Sequence, residues 1–408
     1  MNRGHYSGEI ERRNKLGNCG MEIVTVSNFM KFDIQLGELL AGYNTASCKP
    51  GQYIWIVQKE FISSEDGDLF ISRLEGFPSL LLNKIAQIHK TIIVPSCISN
   101  MLAILRQDKT ATIYINAPMQ ALMQAKKPVD AGQAIYRNDI ADVRKLVFQD
   151  IEIPDGVGVM VLFSVGWRKG LFYDLVSFSD KSLKRDYDLD QLLGGYYAYL
   201  SFQERFKISD SEWQSLLQNG WFPFITLQDD LINSIISHNR EGWNIDDLLP
   251  KIQADVLKRL TDGLKSWANI KAFAPHMDFI SKAIEHYQKD DPISCISVLF
   301  PRIEGIMREF QSIQGQPEKA KQKDLVSTVL SPDVNPKDHQ FSPLLPLRFH
   351  QYLTKVYFAN FDPTRTDNAL SRHSVGHGVA TKDNFNLKGS TLGFLILDQL
   401  SYYFCGIS

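Results

Sequence analysis

The sequence has no excess of positive charge. Its 44 Lys and Arg stand against 46 Asp and Glu, a formal net charge of −2, so it lacks the basic footprint that holds long nucleic acid without sequence preference. A nucleic-acid role therefore needs a local site. Paired cysteines are also missing. Cys19, Cys48, Cys97, Cys295 and Cys405 are scattered, with no CxxC and no spacing suited to a tetrahedral zinc cage. Reduced, mostly buried thiols are the expectation. No apolar run approaches the ~20 residues that a membrane helix requires, and residues 1–20 lack the apolar core of a secretory signal. Both absences predict a soluble, cytoplasmic chain with no membrane partner. There is no Walker loop and no dinucleotide fingerprint, and "DGVGVMV" reads as a turn leading into a strand. No cofactor is expected.

What is present is an ordinary globular composition, 44% hydrophobic and 22% charged over 408 residues, a length that exceeds what one core usually supports. β-rich runs fill the first part: "YIWIVQ", "TIIVP", "ATIYIN", and "VGVMVLFSV" with "LFYDLVSF", the last two flanking a hairpin connection at "GWRKG". "PSLLLNKIAQIHK" and "NDIADVRKLVF" read as helices between them. Beyond residue 181 helical periodicity takes over. Val256, Leu257, Leu260, Leu264 and Trp267 form one stripe, Ile280, Ala283, Ile284 and Tyr287 a second, and Ile296, Leu299, Ile303, Ile306 and Phe310 a third, on a helix that Pro301 is expected to kink. The fold class predicted is α+β. It comprises a polar tail (1–20), a mixed α/β domain (21–180), a helical connecting region (181–270) and an all-α bundle (271–408).

The chemistry concentrates near the end. "LSRHSVGHGVATKDNF", Leu370 to Phe385, gathers Arg372, His373 and His377 in a chain with only nine histidines. Arginine keeps its charge and grips phosphate oxygens with a planar fork. Histidine takes and returns a proton near neutral pH. Those are the two roles needed to cleave RNA through its own 2′-hydroxyl, without a metal. Other readings stand beside this one. Arg372 and His377 are also the residues that bond helix-end carbonyls, and His373 and His377 have the i,i+4 spacing of two zinc ligands, although no third ligand is evident. Glu304, four residues before Arg308, fits an exposed i,i+4 ion pair. Trp167 is expected to pack on its own sheet beside Arg168. "GWFPF" from Gly220 reads as a buried junction, residues 181–185 as a solvated linker face, and His276, His286, His339 and His350 show no partner by spacing.

The segment "ALSRHSVGHGVATKDNFNLKGSTLGFLILDQLSYYF" resembles the end of the HEPN family, helical domains of bacterial and archaeal defence proteins and toxin–antitoxin pairs. The likeness lies in Arg-polar-x3-His, the following glycine, and the apolar helix ending in aromatics. It extends upstream to "YQKDDPISCISVLFPRIEGIMREF" and covers residues 271–408. The resemblance implies an endoribonuclease in which Arg372 polarises the scissile phosphate and His377 is general acid or base. By the same resemblance His373 orients the phosphate or its partner histidine, and Glu304 holds the arginine. The products would be a 2′,3′-cyclic phosphate and a 5′-hydroxyl. The site would form across a homodimer, under control of an antitoxin or a phage-derived trigger sensed by the N-terminal region. The alternative is a non-catalytic dimerisation or RNA-binding protein.

Overall fold

The computed structural model describes the chain except residues 1–13, 16–21, 25–27, 39, 41–42, 45–47, 177–183, 316–320, 330–340, 361–368 and 406–408. Cys19, His339 and part of the 181–185 face lie outside the described residues. The chain is α+β, about 51% helix and 18% strand. It divides into two units, Met1–Leu122 with Arg144–Ser201, and Met123–Val143 with Phe202–Ser408. This differs from the expected domains. Residues 202–270 share one core with the helices after 271, so no separate connecting region exists among them.

In chain order the strands of five or more residues are β1 (Met30–Gln35), β2 (Lys59–Ser63), β3 (Asn100–Leu105), β4 (Thr110–Ile115), β5 (Met119–Ala125), β6 (Ile140–Phe148), β7 (Gly158–Val165) and β8 (Arg168–Asp174). The first unit is built on a six-stranded sheet of order β1-β4-β3-β7-β8-β2, with every pairing antiparallel. Side chains alternate across it. Met160 faces Tyr173 and Leu162 faces Leu171, and all four join a core with Phe70 of α1 (Asp68–Gly76), Leu81 and Ile85 of α2 (Pro78–His89), and Phe77 between the two helices. On the other face Phe61 and Phe172 meet Tyr196 of α3 (Leu189–Ser201), the first pair stacked at 3.8 Å. Both faces are thus covered, which is why β3 is buried along its whole length.

Three expectations are corrected in this part of the chain. "NDIADVRKLVF" forms β6 rather than a helix, paired with β5, a strand absent from the sequence reading. Trp167, in the two-residue connection between β7 and β8, is 74% exposed rather than packed on its sheet, with the Arg168 guanidinium 5.0 Å from its ring. The described thiols are not mostly buried: only Cys295 is, whereas Cys48 and Cys405 are exposed.

The second unit is helical. Its members are α4 (Asp210–Gln218), α5 (Asp229–Glu241), α6 (Leu249–Ala268), α7 (Met277–Gln288), α8 (Pro292–Ile313), α9 (Gln322–Val329), α10 (Pro346–Tyr352), α11 (Arg372–Gly376) and α12 (Leu387–Phe404). Trp221, Phe222 and Phe224 of "GWFPF" are fully buried, as expected. α8 begins at Asp291, whose carboxylate accepts from the Ser294 N–H at 3.0 Å, with Pro292 in the first turn. It runs unbroken through Pro301. The Ile296, Leu299, Ile303, Ile306 and Phe310 stripe is buried as predicted, as is the Ile280, Ala283, Ile284 and Tyr287 stripe of α7. α12 is buried on all sides from Gly389 to Ser401, the pattern of a helix at the centre of a core. α8 packs against α7, α12 and α11. It is therefore the wall on which the Arg372 segment rests. No helix among the described residues is long and apolar enough to cross a membrane.

Candidate active site

α11 is one and a half turns long and is fixed at both ends. At its start the Ser371 hydroxyl accepts from the Ser374 N–H at 3.1 Å, and the Ser374 hydroxyl accepts from the Ser371 N–H at 2.9 Å, a reciprocal capping box of two buried serines. At its end the Gly378 N–H donates to the Val375 carbonyl at 3.1 Å and the Val379 N–H to the Ser374 carbonyl at 3.0 Å. That pair of bonds is a Schellman closure, and it requires the left-handed φ of +69° that Gly378 adopts. The glycine after His377 therefore has a local structural cause.

Arg372 is the first residue of α11. Its guanidinium forms an ion pair, through Nε, with Glu304 Oε2 of α8, whose side chain is only 7% exposed, although the two atoms do not meet in hydrogen-bond geometry. The other oxygen, Oε1, accepts from Arg308, one turn further along α8, at 2.9 Å from Nε and 2.6 Å from Nη2. One buried carboxylate thus holds two guanidiniums. The Glu304–Arg308 pair forms, but on a buried rather than an exposed carboxylate, and the expected Glu304–Arg372 contact forms as well. Gly376 makes room for this: a Cβ at that position would stand 2.1 Å from Arg372 Nη1.

His373 and His377 lie one turn apart on the adjacent face, rings 6.3 Å apart and inclined by 18°. His377 is exposed and His373 half-buried. Burial, and after it the positive charge of Arg372, holds His373 below its ordinary pKa, which favours the neutral imidazole. Phe358 is 6.3 Å from the same ring. His377 stands five positions after Arg372, about 140° around a helix, so the guanidinium lies toward α8 while the imidazole lies toward solvent.

The structure thus brings Arg372 onto Glu304, with His373 near that pair and His377 one turn beyond His373 toward solvent. Arg308 is the member whose part in the site the sequence reading missed; its signal was the i,i+4 spacing to Glu304. Of the remaining histidines, His286 pairs with Asp291 at 3.1 Å, His350 lies 3.4 Å from Ser327 Oγ, and His276 packs on Gly305. Among the described residues no group of three His, Cys, Asp or Glu could hold a metal ion. A cavity of about 410 Å³ is walled by Phe300, Tyr357, Leu370 and Leu392, with Lys355 and Asn386 among its polar groups, and none of Arg372, His373, His377 or Glu304 lines it. Comparison with protein-family models, curated proteins and solved structures finds no match for this chain.

Proposed function

We propose that the chain is a metal-independent endoribonuclease acting at the Arg372 to His377 segment. The observation that supports this most is a guanidinium anchored on a buried carboxylate beside two imidazoles, one of them held below its ordinary pKa. In the proposed reaction one imidazole removes the 2′-hydroxyl proton, O2′ attacks phosphorus, the P–O5′ bond breaks, and the other imidazole returns a proton to O5′. His373, whose neutral form is favoured, suits the base, which leaves the acid to His377. Arg372 balances the charge that develops on the phosphate oxygens. The products are a 2′,3′-cyclic phosphate and a 5′-hydroxyl.

The proposal extends to assembly and control. Two copies pair about a two-fold axis with their α11 segments facing one cleft. The sheet-based unit senses a trigger, phage-derived or antitoxin-linked, in a cytoplasmic defence system. A second reading, a non-catalytic RNA-binding or dimerisation protein, is favoured by one observation: Glu304 already occupies Arg372 Nε, which leaves less of that fork for phosphate. Cleavage of RNA by purified protein in chelator, comparing wild type with Arg372→Ala and His377→Ala, separates the two. Loss of cleavage in both variants, each still folded, is expected. Retained cleavage in both removes the assignment.

A further inference from the structure

Arg308 has more positive charge around it than Glu304 needs. One arginine neutralises one carboxylate, and Arg372 already does so. An exposed i,i+4 pair is worth only a few tenths of a kcal/mol, too little to explain a second guanidinium on a buried Glu304. The two arginines and one carboxylate leave a local excess of one positive charge. Arg308 holds Glu304 through Nε and Nη2, whereas its Nη1 makes no hydrogen bond among the described residues. Its side chain is 41% exposed. It is thus anchored by one edge and open to solvent at the other, so little rotamer freedom remains to be lost when an anion arrives.

We infer that Arg308 is a second phosphate-binding residue, gripping the RNA phosphate next to the scissile one while Arg372 takes the scissile phosphate. This rests on the ribonuclease reading above. It adds a substrate requirement: the preferred RNA presents at least two consecutive phosphates. Arg308 belongs to α8 and Arg372 to α11, so the two forks stand on different elements and meet at Glu304. The planar fork matters because a bidentate grip on phosphate needs two parallel N–H groups, which lysine lacks.

The test uses full-length protein and two substrates, a dinucleoside monophosphate with one phosphate and a trinucleotide with two. Arg308→Gln should raise KM for the trinucleotide about tenfold more than it raises KM for the dinucleoside monophosphate. The salt dependence of binding to an uncleavable 2′-deoxy trinucleotide should lose about 0.7 in log–log slope. Arg308→Lys, which keeps the charge on Glu304, should retain that slope while KM for the trinucleotide still rises. Equal losses on both substrates would overturn the inference and make Arg308 a positioning residue for Glu304. So would a fall in kcat with unchanged KM. If Arg308→Gln does not fold, unchanged KM in Arg308→Lys overturns it. If wild type cleaves neither substrate, the ribonuclease reading itself fails, and this inference falls with it.

Discussion

Gly376→Ala sets two effects of opposite sign against each other. Position 376 is helical, so alanine in place of glycine should favour the fold by about 0.5–1 kcal/mol. But its Cβ would stand 2.1 Å from Arg372 Nη1 and 3.2 Å from Cζ, whereas ordinary contacts begin near ~3.5 Å. The guanidinium must then move by more than about 1 Å, which takes it off Glu304. Removing that partner from a carboxylate only 7% exposed costs about 1–3 kcal/mol, moderated because Arg308 stays. The clash outweighs the propensity gain, leaving a net loss near ~1 kcal/mol, seen as a thermal midpoint lowered by about 2–4 °C. Cleavage should fall by about 10²-fold, since an angstrom-scale displacement of a positioning group is enough for that. In a Glu304→Gln background Arg372 is already released, so Gly376→Ala should there become stabilising. The reasoning is refuted if Gly376→Ala alone is as stable as wild type and cleaves at the same rate.

Two further outcomes follow from buried groups. Burial, and after it the Arg205 guanidinium, pushes Lys126 down to about 7 from its ordinary 10.5. Because the folded value lies below the unfolded one, Lys126 destabilises the fold increasingly as pH falls from 10.5 to about 7. Lys126→Met should therefore be more stable than wild type at pH 7, by about 1–3 kcal/mol, and denaturant melts should show the advantage fading toward pH 10. An advantage that does not change with pH would contradict this. Burial likewise pushes the Cys295 thiol up to about 12. Mass spectrometry after maleimide treatment at pH 8 should find exposed Cys48 labelled and Cys295 intact in the folded protein, with Cys295 labelled only after denaturation.

The helical half was legible because its stripes are strongly periodic. Ile280 to Tyr287 and Ile296 to Phe310 could be placed on buried faces from the 3.6-residue period alone. The hairpin at Gly166 was equally clear, since two apolar runs flank a short polar turn. β6 was not. Its Ala, Asp, Arg, Lys and Leu suit a helix locally, and the strand exists because β5 pairs with it, a tertiary cause that overrides propensity. Domain limits failed for a similar reason: helices on either side of residue 271 fill one core, and nothing local marks which helices will meet. At the site, Arg372, His373 and His377 are neighbours in sequence and could be read together. The joint grip of Arg308 and Arg372 on Glu304 could not, because it depends on how α11 settles on α8.

The central claim is that RNA is cut through its own 2′-hydroxyl by these side chains. The most direct measurement is end analysis of an oligoribonucleotide incubated with purified protein in excess chelator, alongside the same oligonucleotide with a 2′-deoxy sugar at the cleaved position. The account predicts a 2′,3′-cyclic phosphate and a 5′-hydroxyl from the first, and no cleavage at that position in the second. A 5′-phosphate product, or cutting at the 2′-deoxy position, would contradict it.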